Sequence, residues 1–194
     1  MRDYITKQIT ESQRILELIL QDQDLLTTLE SVARDCIHCL RNGGKILLAG
    51  NGGSAADAQH ISGEFVSRFA FDRPGLPSIA LTTDTSIITA IGNDYGYDKV
   101  FARQVQAYAA SGDVLIAYST SGASPNILEA LIEARKHHVI TVGMTGNRSG
   151  LMSSLCDHYL AVPSSVTPKI QEGHGVLGHI LCGLVEYQIF SVST

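Results

Sequence analysis

Residues 113–136 read DVLIAYSTSGASPNILEALIEARK. An apolar run comes first, then hydroxyl residues around one glycine, then apolar residues at helical spacing. Pro125 suits the first helical position, where its missing N–H would have had no partner. A buried strand, a tight loop and a helix in that order form half of a βαβ unit. The texture recurs along the chain. Strands are predicted at 45–49, 78–82, 113–118, 139–144 and 159–162, and helices at 54–69, 100–110, 124–136 and 170–190, with helical turns running through Ile91. Upstream, Ile9, Ile15, Leu16, Ile19 and Leu20 recur at helical spacing, as do Leu25, Leu26, Leu29, Val32, Ala33, Cys36 and Leu40, until Asn42-Gly43-Gly44 ends the second helix. The expected fold class is α/β: a doubly wound, mostly parallel sheet flanked by helices. A helical N-terminal extension over 1–42, used in oligomer packing, belongs to the same single domain, 1–194. In such sheets ligands sit at the carboxyl ends of the strands.

The chain has 194 residues, 44% hydrophobic and 17% charged, against roughly 25% charged in an average soluble domain. So low a charge suggests that other copies cover part of the surface. The net charge of −5 argues against a nucleic-acid partner. The apolar runs at 114–117 and 139–144 fall far short of the roughly 18 residues of a membrane helix. A polar N-terminus lacks signal-peptide features. Four cysteines, at 36, 39, 156 and 182, make no disulfide framework in a chain of this size. The expectation is a soluble, cytoplasmic oligomer.

Two loops can hold a phosphate. Ser119, Thr120, Ser121 and Ser124 surround the start of a helix, where free N–H groups and a partial positive charge favour an anion. Neither a P-loop nor GxGxxG is present, which argues against a nucleotide. Asn51-Gly52-Gly53-Ser54 follows the first strand in the same way, its glycines allowing a ligand close to the backbone. GNGGS after the first strand and STSGxS after a later one together resemble the sugar isomerase (SIS) domain family. The resemblance extends over essentially the whole chain, Ile91-Gly92-Asn93-Asp94 included, and is greatest to the phosphoheptose isomerase group within that family. It implies the SIS fold, with Ser54, Ser119, Ser121 and Ser124 holding a phosphate. Asn51, Gly52, Gly53, Asn93, Asp94 and Thr120 would line the sugar.

His60 and Glu64 lie four apart and share one helix face. With Gln171 and His179 on the final helix they offer a donor set for tetrahedral zinc. His174 and the pair His137-His138 compete as donors. Eight residues of helix span about 12 Å. Gln171 and His179 therefore share one ion only by reaching toward each other, through a distorted helix, or from different subunits. Gly173, Gly175 and Gly178 in this segment point equally to close helix packing at an oligomer interface. The resemblance implies that His60, Glu64, Gln171 and His179 bind one zinc per subunit of a homotetramer. It also makes Glu64 and His179 the catalytic pair of a ketose–aldose isomerase acting on sedoheptulose 7-phosphate. That chemistry needs a base near C1–C2 and an acid near the carbonyl oxygen. The alternative is a non-enzymatic phosphosugar-binding SIS protein that regulates a partner such as the replication initiator. A relative of that kind lacks the counterparts of Glu64 and His179. Thr167-Pro168-Lys169-Ile170 departs from the family, which often has an Asp-Arg pair here.

Other signals point to packing. Cys36-Ile37-His38-Cys39 sits within an amphipathic helix, with Cys36 expected buried and Cys39 partly exposed, while Cys156 and Cys182 read as core. His158 reads as a structural surface residue. Tyr95, Tyr97 and Phe101 either close over the pocket or pack.

Overall fold

A strand covered on both faces must be apolar at successive positions. Residues 46–49 and 114–118 meet this condition and are buried throughout. The computed structural model describes residues 1–147 and 150–191. Its elements are α1 (Arg2–Gln21), α2 (Gln23–Arg41), β1 (Ile46–Ala49), α3 (Gly53–Val66), β2 (Ser78–Ala80), α4 (Thr85–Tyr95), α5 (Val100–Tyr108), β3 (Val114–Tyr118), α6 (Pro125–Lys136), β4 (Ile140–Gly146), β5 (His158–Val162) and α7 (Thr167–Phe190). The sheet order is β2-β1-β3-β4-β5, and every described pairing is parallel.

Alternate side chains serve two cores. Ile46, Leu48, Val114, Ile116 and Tyr118 pack beneath α1, α2, α3 and α7. Leu47, Ala49, Leu115 and Ala117 face α5 and α6. The chain leaves β1 toward β2 at one edge and leaves β3 toward β4 in the other direction. The loops after β1 and β3 therefore part at the switch point of the sheet, which opens a crevice there.

Most differences from expectation are shifts of one to four residues at element ends. α1 and α2 are separate because Asp22 turns extended and caps the second helix, accepting a hydrogen bond from the Leu25 N–H at 3.0 Å. α4 runs on to Tyr95, so Asn93 and Asp94 are helical. Cys39 is buried rather than partly exposed, and its thiol, pushed up to about 11 by burial, donates to the Lys45 carbonyl. Cys156 is half-buried rather than core. His158 is half-buried and paired with Asp35 at 2.6 Å.

Lys169 accounts for the departure at 167–170. Its side chain is only 6% exposed, and the ammonium donates to the Gln8 carbonyl, the Ser12 hydroxyl and Glu172. This single charge fastens α1 across the first turn of α7, while Pro168 occupies a position whose N–H needs no partner. Gly173 and Gly178 let Val162 of β5 and Ile61 of α3 pack closely onto α7, so the close packing they permit lies within one chain, whereas a side chain at Gly175 would meet nothing.

His174 is fully buried, with Nε2 against the Thr145 carbonyl at 3.1 Å. Burial pushes its pKa down from 6.5 to about 4, against the raising effect of that carbonyl. The unfolded chain thus takes up a proton below pH 6.5 that the folded chain refuses until about pH 4. Stability should fall across that window as the pH drops, by up to about 3 kcal/mol. Thermal melts from pH 7 to 4 should show a shallower acid loss for His174→Gln. An unchanged slope would assign the loss to other groups.

Candidate active site

Three helices begin at the crevice: α3 at Gly53, α6 at Pro125 and α7 at Thr167. Each helix start presents N–H groups without intrahelical partners and a partial positive charge. Between them lies a cavity of about 300 Å³, lined by Asn51, Gly52, Gly53, Ser54, Tyr118, Ser119, Thr120, Ser124, Thr167 and Gln171. None of these lining residues is charged. Gly52 holds φ +57°, which an L side chain resists, and a Cβ at Gly53 would displace the Gln171 carboxamide that lies against it. Ser119 Oγ and Ser124 Oγ are 2.9 Å apart across the second loop. The loops are stapled by a reciprocal amide pair, Asn51 with Asn126, both hydrogen bonds 2.8 Å long. Tyr97 donates to Asn51 Oδ1 at 3.2 Å and so reaches the crevice, whereas Phe101 is core and Tyr95 lies against Arg103.

Two turns farther along α3 a second group gathers. His60 Nε2 and His179 Nε2 are 2.7 Å apart, and Glu64 Oε1 is 3.8 Å from His60 Nε2. One donor atom from each of His60, Glu64 and His179 lies within 4.8 Å of the others. Two imidazole nitrogens and a carboxylate oxygen so close suit a divalent ion of zinc type. Asp57, half-buried between Ser54 and His60 on α3, has one buried oxygen with no donor among the described residues. Burial pushes its pKa up, opposed by His60.

The structure thus brings together most of the residues singled out in the sequence, but in two clusters. Ser54, Ser119, Thr120, Ser124, Asn51, Gly52, Gly53 and Gln171 line the cavity, and His60, Glu64 and His179 form the trio. Within the regular helix α7, Gln171 and His179 are separated by about 12 Å of axial rise. Ser121 is exposed on the loop and outside the cavity lining. Asn93 and Asp94 bond to each other on the exposed side of α4, and Asp94 borders a separate cavity with Tyr95 and Arg103. Of the competing histidines, His174 is buried under the sheet's end and His137 caps α6 beside Glu133. Tyr118, Asn126, Thr167 and Asp57 escaped sequence reasoning. Thr167, just ahead of Pro168 at a helix start, carried the one available signal.

Comparison with known proteins shows the family. A family model described as SIS domain matches residues 9–146. The phosphoheptose isomerase of Burkholderia pseudomallei (strain 1710b) is 67% identical over 187 residues, covering 96% of this chain and 95% of the relative. That of Aneurinibacillus thermoaerophilus is 60% identical over 190 residues, 98% of this chain and 96% of its own. The solved structure of phosphoheptose isomerase GmhA from Neisseria gonorrhoeae superposes with a TM-score of 0.89 at 39% identity, covering 95% of this chain and 98% of that one. The chain belongs to the SIS domain family, and within it to the phosphoheptose isomerases, which are enzymes.

Proposed function

We propose that the enzyme, a sugar phosphate isomerase, converts sedoheptulose 7-phosphate to D-glycero-D-manno-heptose 7-phosphate through an enediol. The observation that carries this reading is the spacing of the two clusters along α3. Gly53 to His60 is about 10 Å of helix rise, comparable to an extended seven-carbon chain whose six C–C bonds are each about 1.5 Å. A phosphate in the neutral cavity leaves C1 and C2 of such a sugar beside the trio. A three-carbon sugar phosphate is too short to bridge them.

In this reading Ser54, Ser119, Thr120 and Ser124 donate to the phosphate together with the three helix starts. Asn51, Gly52, Gly53 and Gln171 border the sugar. Glu64 takes the proton from C1, and the freed electron pair becomes the C1–C2 double bond while the C2 carbonyl oxygen takes a proton from His179. Return of a proton to C2 and loss of the O1 proton leave the aldehyde. No electron acceptor is needed. His60, Glu64 and His179 would hold one zinc per subunit, and a bound zinc would polarise the sugar carbonyl. Gln171 as a fourth ligand, Ser121 as a phosphate donor, and Asn93 and Asp94 as sugar contacts rest on the family resemblance.

A homotetramer with its sites near the interfaces fits the exposed apolar side chains. Ile5, Ile9, Leu16 and Leu20 stand exposed on α1, and Val176, Ile180 and Leu184 form a stripe on α7 beside His179. We place the enzyme in the cytoplasm with no nucleic-acid or membrane partner, and among the described residues no helix is long and apolar enough to cross a membrane. Light scattering on the purified protein should report four chains, and a monomer would remove the interface from the reading.

Proton NMR of the enzyme with sedoheptulose 7-phosphate should show new aldose signals that vanish with a chelator and return with zinc. Glu64→Gln should lower kcat by at least about a hundredfold while leaving KM within about threefold. Saturable phosphosugar binding without conversion in the wild type would overturn the isomerase assignment. Ser124→Ala removes one anion donor, so KM should rise about tenfold with kcat little changed. An unaltered KM would move the phosphate elsewhere.

A further inference from the structure

Glu64 is only half-buried and His179 is exposed, and they project from different helices, yet the proposed chemistry needs them held at fixed separation. A buried ion pair that takes no part in the proposed chemistry links the end of α3 to α7. Arg73 and Glu186 have side chains 2% and 1% exposed, with Nε 3.0 Å from Oε1. Arg73 also reaches the last turn of α3: Nη2 donates to the Glu64 carbonyl at 2.8 Å and Nη1 to the Phe65 carbonyl at 2.6 Å, while Nη1 serves the Ser67 and Pro74 carbonyls of the following loop as well. Helix C-termini leave such carbonyls without partners and favour a cation beside them. The rigid guanidinium fork can serve several acceptors at once, which a lysine ammonium on a flexible stem cannot do in the same geometry.

Glu186 completes the arrangement from α7. Its two oxygens accept the Phe69 N–H at 2.8 Å and the Ala70 N–H at 2.7 Å. These bonds set the Phe69 ring 5.6 Å, centroid to centroid, from the His179 imidazole. Gly183, one turn beyond His179, makes room for that ring, since a Cβ there would come within 3.3 Å of Phe69 Cε1. One buried pair therefore touches the backbone of Glu64 directly and the ring of His179 through Phe69.

We propose that Arg73, Glu186 and Phe69 are positioning residues that fix Glu64 and His179 relative to each other. The inference rests on the roles proposed above for that pair. Its test uses purified full-length Phe69→Leu, Phe69→Tyr and Arg73→Lys, compared with wild type and Glu64→Gln. Phe69→Leu and Arg73→Lys should each lower kcat about tenfold or more, as a small misplacement does, with KM for sedoheptulose 7-phosphate within about twofold because the phosphate cavity is distant. Phe69→Tyr keeps the ring and should recover most of kcat. In spectra of protein labelled with 15N-histidine, without substrate, the His179 ring signals should move in Phe69→Leu and Arg73→Lys and stay close to wild type in Phe69→Tyr.

Wild-type kcat and unmoved His179 signals in both Phe69→Leu and Arg73→Lys overturn the proposal, as does a kcat loss that merely follows a falling melting temperature. If wild type itself fails to isomerise the sugar, the functional reading falls. The histidine spectra then decide the positioning claim alone: moved signals uphold it and unmoved signals overturn it.

Discussion

Side-by-side packing of α3 against α7 is the constraint on which both halves of the site depend. The helices run in the same direction, touching at Gly53 and Gln171 near their starts and at Ile61 and Gly178 farther on. A Cβ at Gly178 would overlap Ile61, so the approach needs glycine there, at a helix-propensity cost of about 1 kcal/mol relative to alanine. That approach does two things. It brings the starts of α3 and α7 to the crevice where the β3–α6 loop arrives. It also brings His60 and His179 together edge-on two turns later, Nε2 to Nε2. A wider spacing would dissolve the trio and open the cavity together.

The sheet and its two cores were legible because strands buried on both faces leave continuous apolar runs, and 114–118 is as plain an example as the chain offers. The serine and glycine loops were legible for a related reason, since strand-to-helix turns at a switch point rarely need so many hydroxyls for capping alone. Asn126 and Tyr118 could not be read the same way. One is a helix-start amide and the other a strand-end aromatic, and they matter only because the fold turns them toward Asn51 and the crevice. His60 with Glu64 was visible from spacing within one helix. His179 joined them through the resemblance, since its distance of 119 residues from His60 carries no periodic signal.

Lys169 shows how a local departure can be structural. An Asp-Arg pair in that place suggests surface contacts, and replacing it with Pro168-Lys169 reads at first as a loss. In the fold the lysine is drawn inward, where four acceptor atoms on Gln8, Ser12 and Glu172 surround the ammonium. Burying a lysine is costly unless it is fully paired, and here α1 supplies half of the partners. The N-terminal extension is thereby coupled to the turn that presents Thr167 and Gln171. Sequence alone cannot reveal this, because the partners lie about 160 residues away.

The neutral lining of the phosphate cavity bears on the proposed chemistry next to it. An arginine or lysine would bind a phosphate more strongly through a charge-assisted bond. It would also place a full positive charge on the helix that carries the proposed base. That charge would oppose the divalent ion that His60, Glu64 and His179 would hold in the proposed reading, since like charges repel. Helix starts and hydroxyls avoid this conflict, since the partial charge at a helix end fades within its first turn and the trio stands two turns away. Asp57 lies between the two clusters, where burial pushes its pKa up and His60 opposes that shift. The separation along α3 thus lets one end bind an anion by local donors alone while the other gathers the proposed base with its two histidine neighbours.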